Sequence, residues 1–351
     1  MTIQYYNTNI LPIKLPDNTI ENGGVSAWQG IRYIAQDTYI LCGTTNPNPN
    51  AGNGLLFLGN ISCTNGFLYY LNVPKEGGGE YYTSVYGPNY DFNSGNFTFV
   101  GSFTSEDGNK IKGFCFKGKL NEVELKKLEN FSFPSEINIE FDITFLHSNM
   151  NNLIVGNSGK NIIDPQKTIS YILDQNTMKI RNYIQYPYAG TTTTYGIWYN
   201  GGDSYTIVGG YSKKAIEISN IYKNGLSQPI GSGFIADYNA RTNRFCNWTS
   251  INYCNNENIL THFEGIYGLK CKNLYALNAD VVNKSKNVTQ GYYLTICRNV
   301  KKGKFEVKKW TEIKYPSKEP GITSSNSVAN NNVVGLFISP SGNISYQASI
   351  L

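Results

Sequence analysis

The chain has 351 residues, of which 40% are hydrophobic and 16% charged, with a formal net charge of +5. That charge is too weak for a nucleic-acid binder, and no apolar run is long enough to cross a membrane as a helix. With 27 Tyr, 17 Phe and 35 Gly, the mix favours sheets and turns, so helices are expected to be nearly absent.

The start, Met-Thr-Ile-Gln-Tyr-Tyr-Asn, has no basic or apolar leader character. No cleaved signal is therefore expected, which places the protein in the cytoplasm of the producing cell or, alternatively, in a virion. A first strand is predicted at Ile10-Leu11-Pro12-Ile13-Lys14-Leu15-Pro16.

From there a recurring step organises the chain. Ala27-Trp28-Gln29-Gly30-Ile31 precedes Ile40-Leu41-Cys42-Gly43, and Ser84-Val85-Tyr86-Gly87 precedes Phe99-Val100-Gly101. A worn copy follows at Asp142-Ile143-Thr144-Phe145, before Ile154-Val155-Gly156. The clearest copy runs from Thr192 to Tyr211, two strands joined by a turn at Asn200-Gly201-Gly202-Asp203. His262-Phe263-Glu264-Gly265-Ile266 precedes Leu277-Asn278-Ala279, and a second worn copy, Ser324-Ser325-Asn326-Ser327, precedes Val333-Val334-Gly335.

Each unit continues into a third strand, such as Gly113-Phe114-Cys115-Phe116 or Gly233-Phe234-Ile235-Ala236. Most continue into a fourth that ends in proline, at Pro74, Pro134, Pro187 and Pro316. Proline suits an outermost strand, where a missing ladder donor costs nothing. The last unit stops after three strands at Leu351, and the strand at 10–16 carries the same proline ending. The two ends of the chain are therefore expected to complete one sheet. Longer loops are placed at 47–52, 213–232 and 281–290, all on one face.

This pattern resembles six-bladed β-propellers over essentially the whole chain, as architecture only: the WD signature, the Asp box of sialidase blades and the YWTD motif are absent. The resemblance implies an all-β fold of four-stranded blades, its ring closed by the N-terminal strand completing the C-terminal blade. One domain, 1–351, is expected, with blades at about 25–74, 80–134, 138–187, 190–254, 258–316 and 320–351 plus 1–16.

Alternation along the innermost strand then selects the side chains that face the channel. One position before each anchor stand Gln29, Tyr86, Thr144, Tyr195, Glu264 and Asn326; three before stand Ala27, Ser84, Asp142, Thr193, His262 and Ser324. Both rings are polar, as a wet channel mouth requires. Within them Asp142, His262 and Glu264 ionise near neutral pH and are candidates for acid and base catalysis. Asp142, Glu264 and Asn326 are the candidate ligands of a calcium ion, the metal that lactonase-like propellers hold in this channel. Gln29, Tyr86, Tyr195, Trp198 and Asn326 are candidate binding residues, with aromatic faces suited to sugar rings. His147 has no partner in sequence and reads as incidental. Seven cysteines without a CxxC pair read as reduced thiols.

No nucleotide-binding, serine-hydrolase or zincin motif occurs. The expected function is a non-enzymatic binding or assembly module without cofactor, a viral or effector component. It is expected to be a monomer presenting its loop face and polar channel to a protein or glycan partner, with no nucleic acid and no membrane span. The alternative is a metal-dependent, calcium-type hydrolase or lactonase with its site at the channel mouth.

Overall fold

A computed structural model describes residues 2–7, 11–14, 20–23, 27–45, 52–160, 168–212, 231–256, 259–283 and 288–351. The strands pair in fours, each group an antiparallel meander. The first holds Ala27–Ala35, Thr38–Thr45, Asn53–Gly59 and Gly66–Tyr70, and the second Thr83–Asp91, Asn96–Thr104, Ile111–Gly118 and Phe131–Ser132. The third holds Ile143–Met150, Leu153–Gly159, Ile169–Asp174 and Ile180–Ile184, and the fourth Thr191–Gly201, Ser204–Ser212, Ser232–Asn239 and Arg244–Ile251. The fifth comprises Ile259–Gly268, Leu274–Asn283, Val288–Asn299 and Lys304–Ile313.

Ile322–Ala329, Asn332–Ser339 and Gly342–Ile350 need a fourth strand, and the N-terminus supplies it. That strand is Ile3–Asn7, running from Ile3 opposite Ile350 to Asn7 opposite Tyr346. The closure is as expected and the segment is not. Leu11–Lys14 instead makes a hairpin with Ile20–Gly23; Ile10, Leu15 and Pro16 lie outside the described residues. Ile3–Asn7 has no proline and can donate throughout a ladder, whereas Pro12 and Pro16 cannot. Its Tyr5 packs edge-on against Tyr315 and Tyr346, with ring centroids 5.9 and 6.0 Å away.

The core is divided among the joints between groups. One apolar cluster joins Trp28, Ile31 and Leu41 of the first group to Ala329 and Val334 of the last. Others sit between first and second, second and third, third and fourth, fourth and fifth, and fifth and sixth. Polar bonds reinforce the closing joint: the Trp28 amide donates to Ser345 Oγ at 3.0 Å, and Asn326 Nδ2 donates to the Trp28 carbonyl at 2.7 Å. The architecture is a β-propeller, with the apolar clusters between radial sheets and the innermost strands around an axis.

Three local expectations change. The proline-ended segment supplies the outermost strand in the second group, at Phe131–Ser132, but elsewhere it begins at or after that strand's end: Gly66–Tyr70 is the outer strand and Leu71 to Pro74 lead away from it, and Ile180–Ile184 and Lys304–Ile313 end where the expected segments start. Short helices do occur, at Glu122–Leu125, where Asn121 Oδ1 accepts from the Glu124 amide at 2.8 Å, and at Ser135–Glu140. The loop expected at 281–290 is shorter, because 281–283 and 288–290 belong to the strands Leu274–Asn283 and Val288–Asn299; 284–287, 47–51 and 213–230 lie outside the described residues. No helix among the described residues is long and apolar enough to cross a membrane.

Candidate active site

Every innermost strand carries a β-bulge beside its anchor, and these bulged residues form the site; the first and fourth strands have a second register shift towards their turns, at Tyr33/Ala35 and Tyr199/Gly201. The ladder skips one residue at Gln29, Tyr86, His147, Tyr195, Glu264 and Asn326 in turn. A bulge leaves its extra residue unpaired and re-aims the side chain. All six are partly exposed, whereas Trp28, Val85, Leu146, Thr194, Phe263 and Ser325, just before them, are fully buried.

The residue after each bulge is glycine in four strands, because the next strand passes close by: a side chain at Gly30 would strike the Tyr86 carbonyl. The third and sixth strands have Ser148 and Ser327 there. Without its glycine the third strand is misread by three residues. Thr144 does not line the channel: it is fully buried and its hydroxyl accepts from Ser158 Oγ at 3.1 Å. His147 takes its place, so its reading as incidental is corrected. Asp142 precedes the strand, and its carboxylate pairs with Lys110 Nζ at 3.2 Å.

The strongest polar coupling lies on the fifth strand. His262 Nδ1 is 2.7 Å from Glu264 Oε1, and Nε2 is 2.9 Å from Thr193 Oγ1 on the fourth. The imidazole is 2% exposed and lies against Gly210, where any Cβ would collide with it. Tyr195 meets its edge, with centroids 4.6 Å apart and planes at 89°. Directly opposite His262 in the ladder is Asp280, whose Oδ1 accepts from the Ser325 amide at 2.8 Å. Burial, reinforced by the Glu264 charge, pushes the Asp280 carboxyl well above the usual carboxylate range.

An aromatic arc continues from Tyr195. His147 lies 4.0 Å from it and 5.5 Å from Tyr86, centroid to centroid. Burial, with His262 nearby, lowers the His147 pKa to about 3, so this imidazole is neutral at pH 7; its Nε2 is buried without a hydrogen-bond partner. Burial also raises the Tyr195 and Tyr86 phenols, with the Glu264 charge adding at Tyr195. On the other side Asn326 Oδ1 accepts from Ser324 Oγ at 3.3 Å.

The structure thus brings together His262, Glu264 and Tyr195, with Tyr86, Gln29 and Asn326 in the same ring of bulges. Trp198 stands apart, three residues beyond the Tyr195 bulge and 4.6 Å from Tyr267. Sequence reasoning missed His147, Thr193 as a partner of His262, and Asp280. The signal for Asp280 was a lone carboxylate in the apolar run Leu277 to Val282.

No protein-family model and no curated protein matches this sequence. Among solved structures, a mutant of Trypanosoma rangeli sialidase displaying trans-sialidase activity superposes with a TM-score of 0.56 at 6% identity, over 99% of this chain. This chain spans 59% of that sialidase's length. A mutant of NanB sialidase from Streptococcus pneumoniae gives 0.51 at 7% identity, over 98% of this chain and 70% of that one. Pseudomonas aeruginosa periplasmic gluconolactonase gives 0.47 at 7%, over 99% and 96%, too loose a likeness to carry an argument. At such identities the likeness is one of fold. It corrects the expectation of a non-enzymatic binding or assembly module, which rested on fold alone: both of these sialidases are enzymes.

Proposed function

We propose that this chain is a hydrolase of sugar-derived substrates, with sugar lactones as the preferred class, working at the ring of bulges. The observation that carries the reading is the relay Glu264–His262–Thr193. A carboxylate on Nδ1 fixes the imidazole and leaves Nε2 as the position that exchanges a proton.

In lactone hydrolysis, water held by the partly exposed Thr193 hydroxyl attacks the ring carbonyl, giving its proton to Thr193 Oγ1 as the Thr193 proton moves to Nε2. Glu264 stabilises the imidazolium, and a proton returns along the same path to the ring oxygen as the acyl C–O bond breaks. Most glycosidases use two carboxyl groups that both reach the substrate, sialidases with a tyrosine nucleophile excepted. Here Asp280 is 9% exposed, so Glu264 faces the channel without a second accessible carboxylate from that pair. Tyr195 and Tyr86 offer aromatic surface to a sugar, and Gln29 offers an amide to its hydroxyls.

The calcium set is a poorer fit. Asp142 is engaged by Lys110, Glu264 by His262, and Asn326 by Trp28 and Ser324. Among the described residues no group of three or more His, Cys, Asp or Glu side chains is arranged to hold a metal ion. No step is therefore routed through a metal.

The test is a screen of aldonolactones, aryl glycosides and aryl sialosides, with EDTA and added calcium as separate arms. The reading expects lactone turnover insensitive to EDTA. Turnover of glycosides alone, or turnover that needs calcium, would overturn it.

A further inference from the structure

Below the ring of bulges the channel contains a cation that no carboxylate neutralises. Arg32, on the innermost strand of the first group, is 7% exposed. Its Nε donates to the Pro88 carbonyl of the second group at 3.2 Å, and its guanidinium carbon lies 5.4 Å from the centre of the Trp198 indole of the fourth. The first and fourth groups are opposite each other in a ring of six, so this side chain crosses the axis.

The arginines Arg181, Arg241 and Arg298 have carboxylates, respectively Asp174, Asp203 and Asp237. Arg32 forms no ion pair among the described residues. Its ionisable neighbours, Tyr267 and Cys42, are both pushed above their ordinary values by burial and are neutral at pH 7. Burial lowers the Arg32 pKa only to about 10, so the guanidinium remains charged. The Trp198 indole lies beside the guanidinium and Nε is taken by Pro88, which leaves the Nη N–H groups, without a hydrogen bond among the described residues, as the anion-seeking part. A buried charge with one carbonyl and one ring for company is incompletely compensated.

We propose that Arg32, beside Trp198, is a binding site on the channel axis for a monovalent anion, either a halide or the carboxylate of a small organic acid. The site stands about 10 Å along the strand from the Gln29 bulge, three residues at strand rise, and is separate from the Glu264–His262 pair.

Crystals of the whole chain grown without halide and soaked in sodium bromide test it. The expected result is an anomalous peak within about 3.5 Å of the Arg32 Nη atoms, the reach of a charge-assisted contact. A second soak with added sodium acetate identifies the source: displaced bromide and acetate density assign the site to carboxylates, and retained bromide to halides. Channel density with neither anion at Arg32 overturns the proposal. In solution, bromide raises the wild-type melting temperature by about 3 °C through linkage, and Arg32→Gln abolishes the rise. An equal rise in both is a general salt effect and also overturns it. Should Arg32→Gln fail to fold, the wild-type soak decides. None of these readouts uses turnover, so they stand or fall apart from the hydrolase reading.

Discussion

His262 and Glu264 are two residues apart on one strand, and their side chains meet at 2.7 Å because the ladder breaks between them. Phe263 stays opposite Ala279 and Gly265 moves opposite Asn278, which leaves Glu264 unpaired and turned to the channel. Phe263 remains fully buried in the joint between sheets. One bulge thus supplies a core residue and a carboxylate at adjacent positions.

Thr193 passes the proton to Nε2 of the imidazole. Thr193→Val is expected to lower kcat about 100-fold with KM little changed, the lower end of the range for lost general acid–base transfer. Thr193→Ser, which keeps the hydroxyl, restores most of it. Steady-state kinetics on the best lactone checks this, and a loss confined to KM would contradict it.

His147 links pH to stability. Its folded pKa is about 3 against an ordinary value of 6.5, so between those pH values the unfolded chain takes up a proton that the folded chain refuses. Stability contributed by this group is complete above pH 6.5 and is lost as pH falls towards 3. His147→Phe should flatten the urea-unfolding free energy across that window by about 4 kcal/mol.

Asp280 has the opposite sign. Its folded pKa is raised, so stability is lost as pH rises above the unfolded carboxylate value and burial opposes ionisation. Asp280→Asn keeps an oxygen for the Ser325 amide and removes the charge. It is expected to be at least as stable as wild type at pH 7 and more stable at pH 8; a large destabilisation by calorimetry would contradict the assignment.

Tyr5 fastens the ring. Tyr5→Ala removes a half-buried ring from Tyr315 and Tyr346 and should cost about 2 kcal/mol, below the range for a fully buried aromatic. Removal of residues 1–7 should cost more, because Gly342–Ile350 then loses the outer of its two ladder partners. Chemical denaturation measures both.

The propeller was legible because its glycines are forced: Gly30 recurs as Gly87, Gly196 and Gly265 where neighbouring strands approach. Where serine replaces glycine the reading divided. Ser327 is reached through the worn copy Ser324 to Ser327, but Ser148 is not, so Thr144 stands in the reading where the structure has His147, and Asp142 where it has Phe145. The closing strand was misassigned because Pro16 imitated the proline endings, while Ile3 to Asn7 carries no such mark. Asp280 and Arg32 were hidden for another reason. Their neighbours come from other strands and other sheets, and a register of pairing sets those distances.

The most direct test of the account is kcat/KM of Glu264→Gln against wild type on the best lactone substrate. The account predicts a loss of at least about 100-fold with an unchanged melting temperature, as expected when a general base loses its orienting carboxylate. Equal kcat/KM in a folded variant would contradict it.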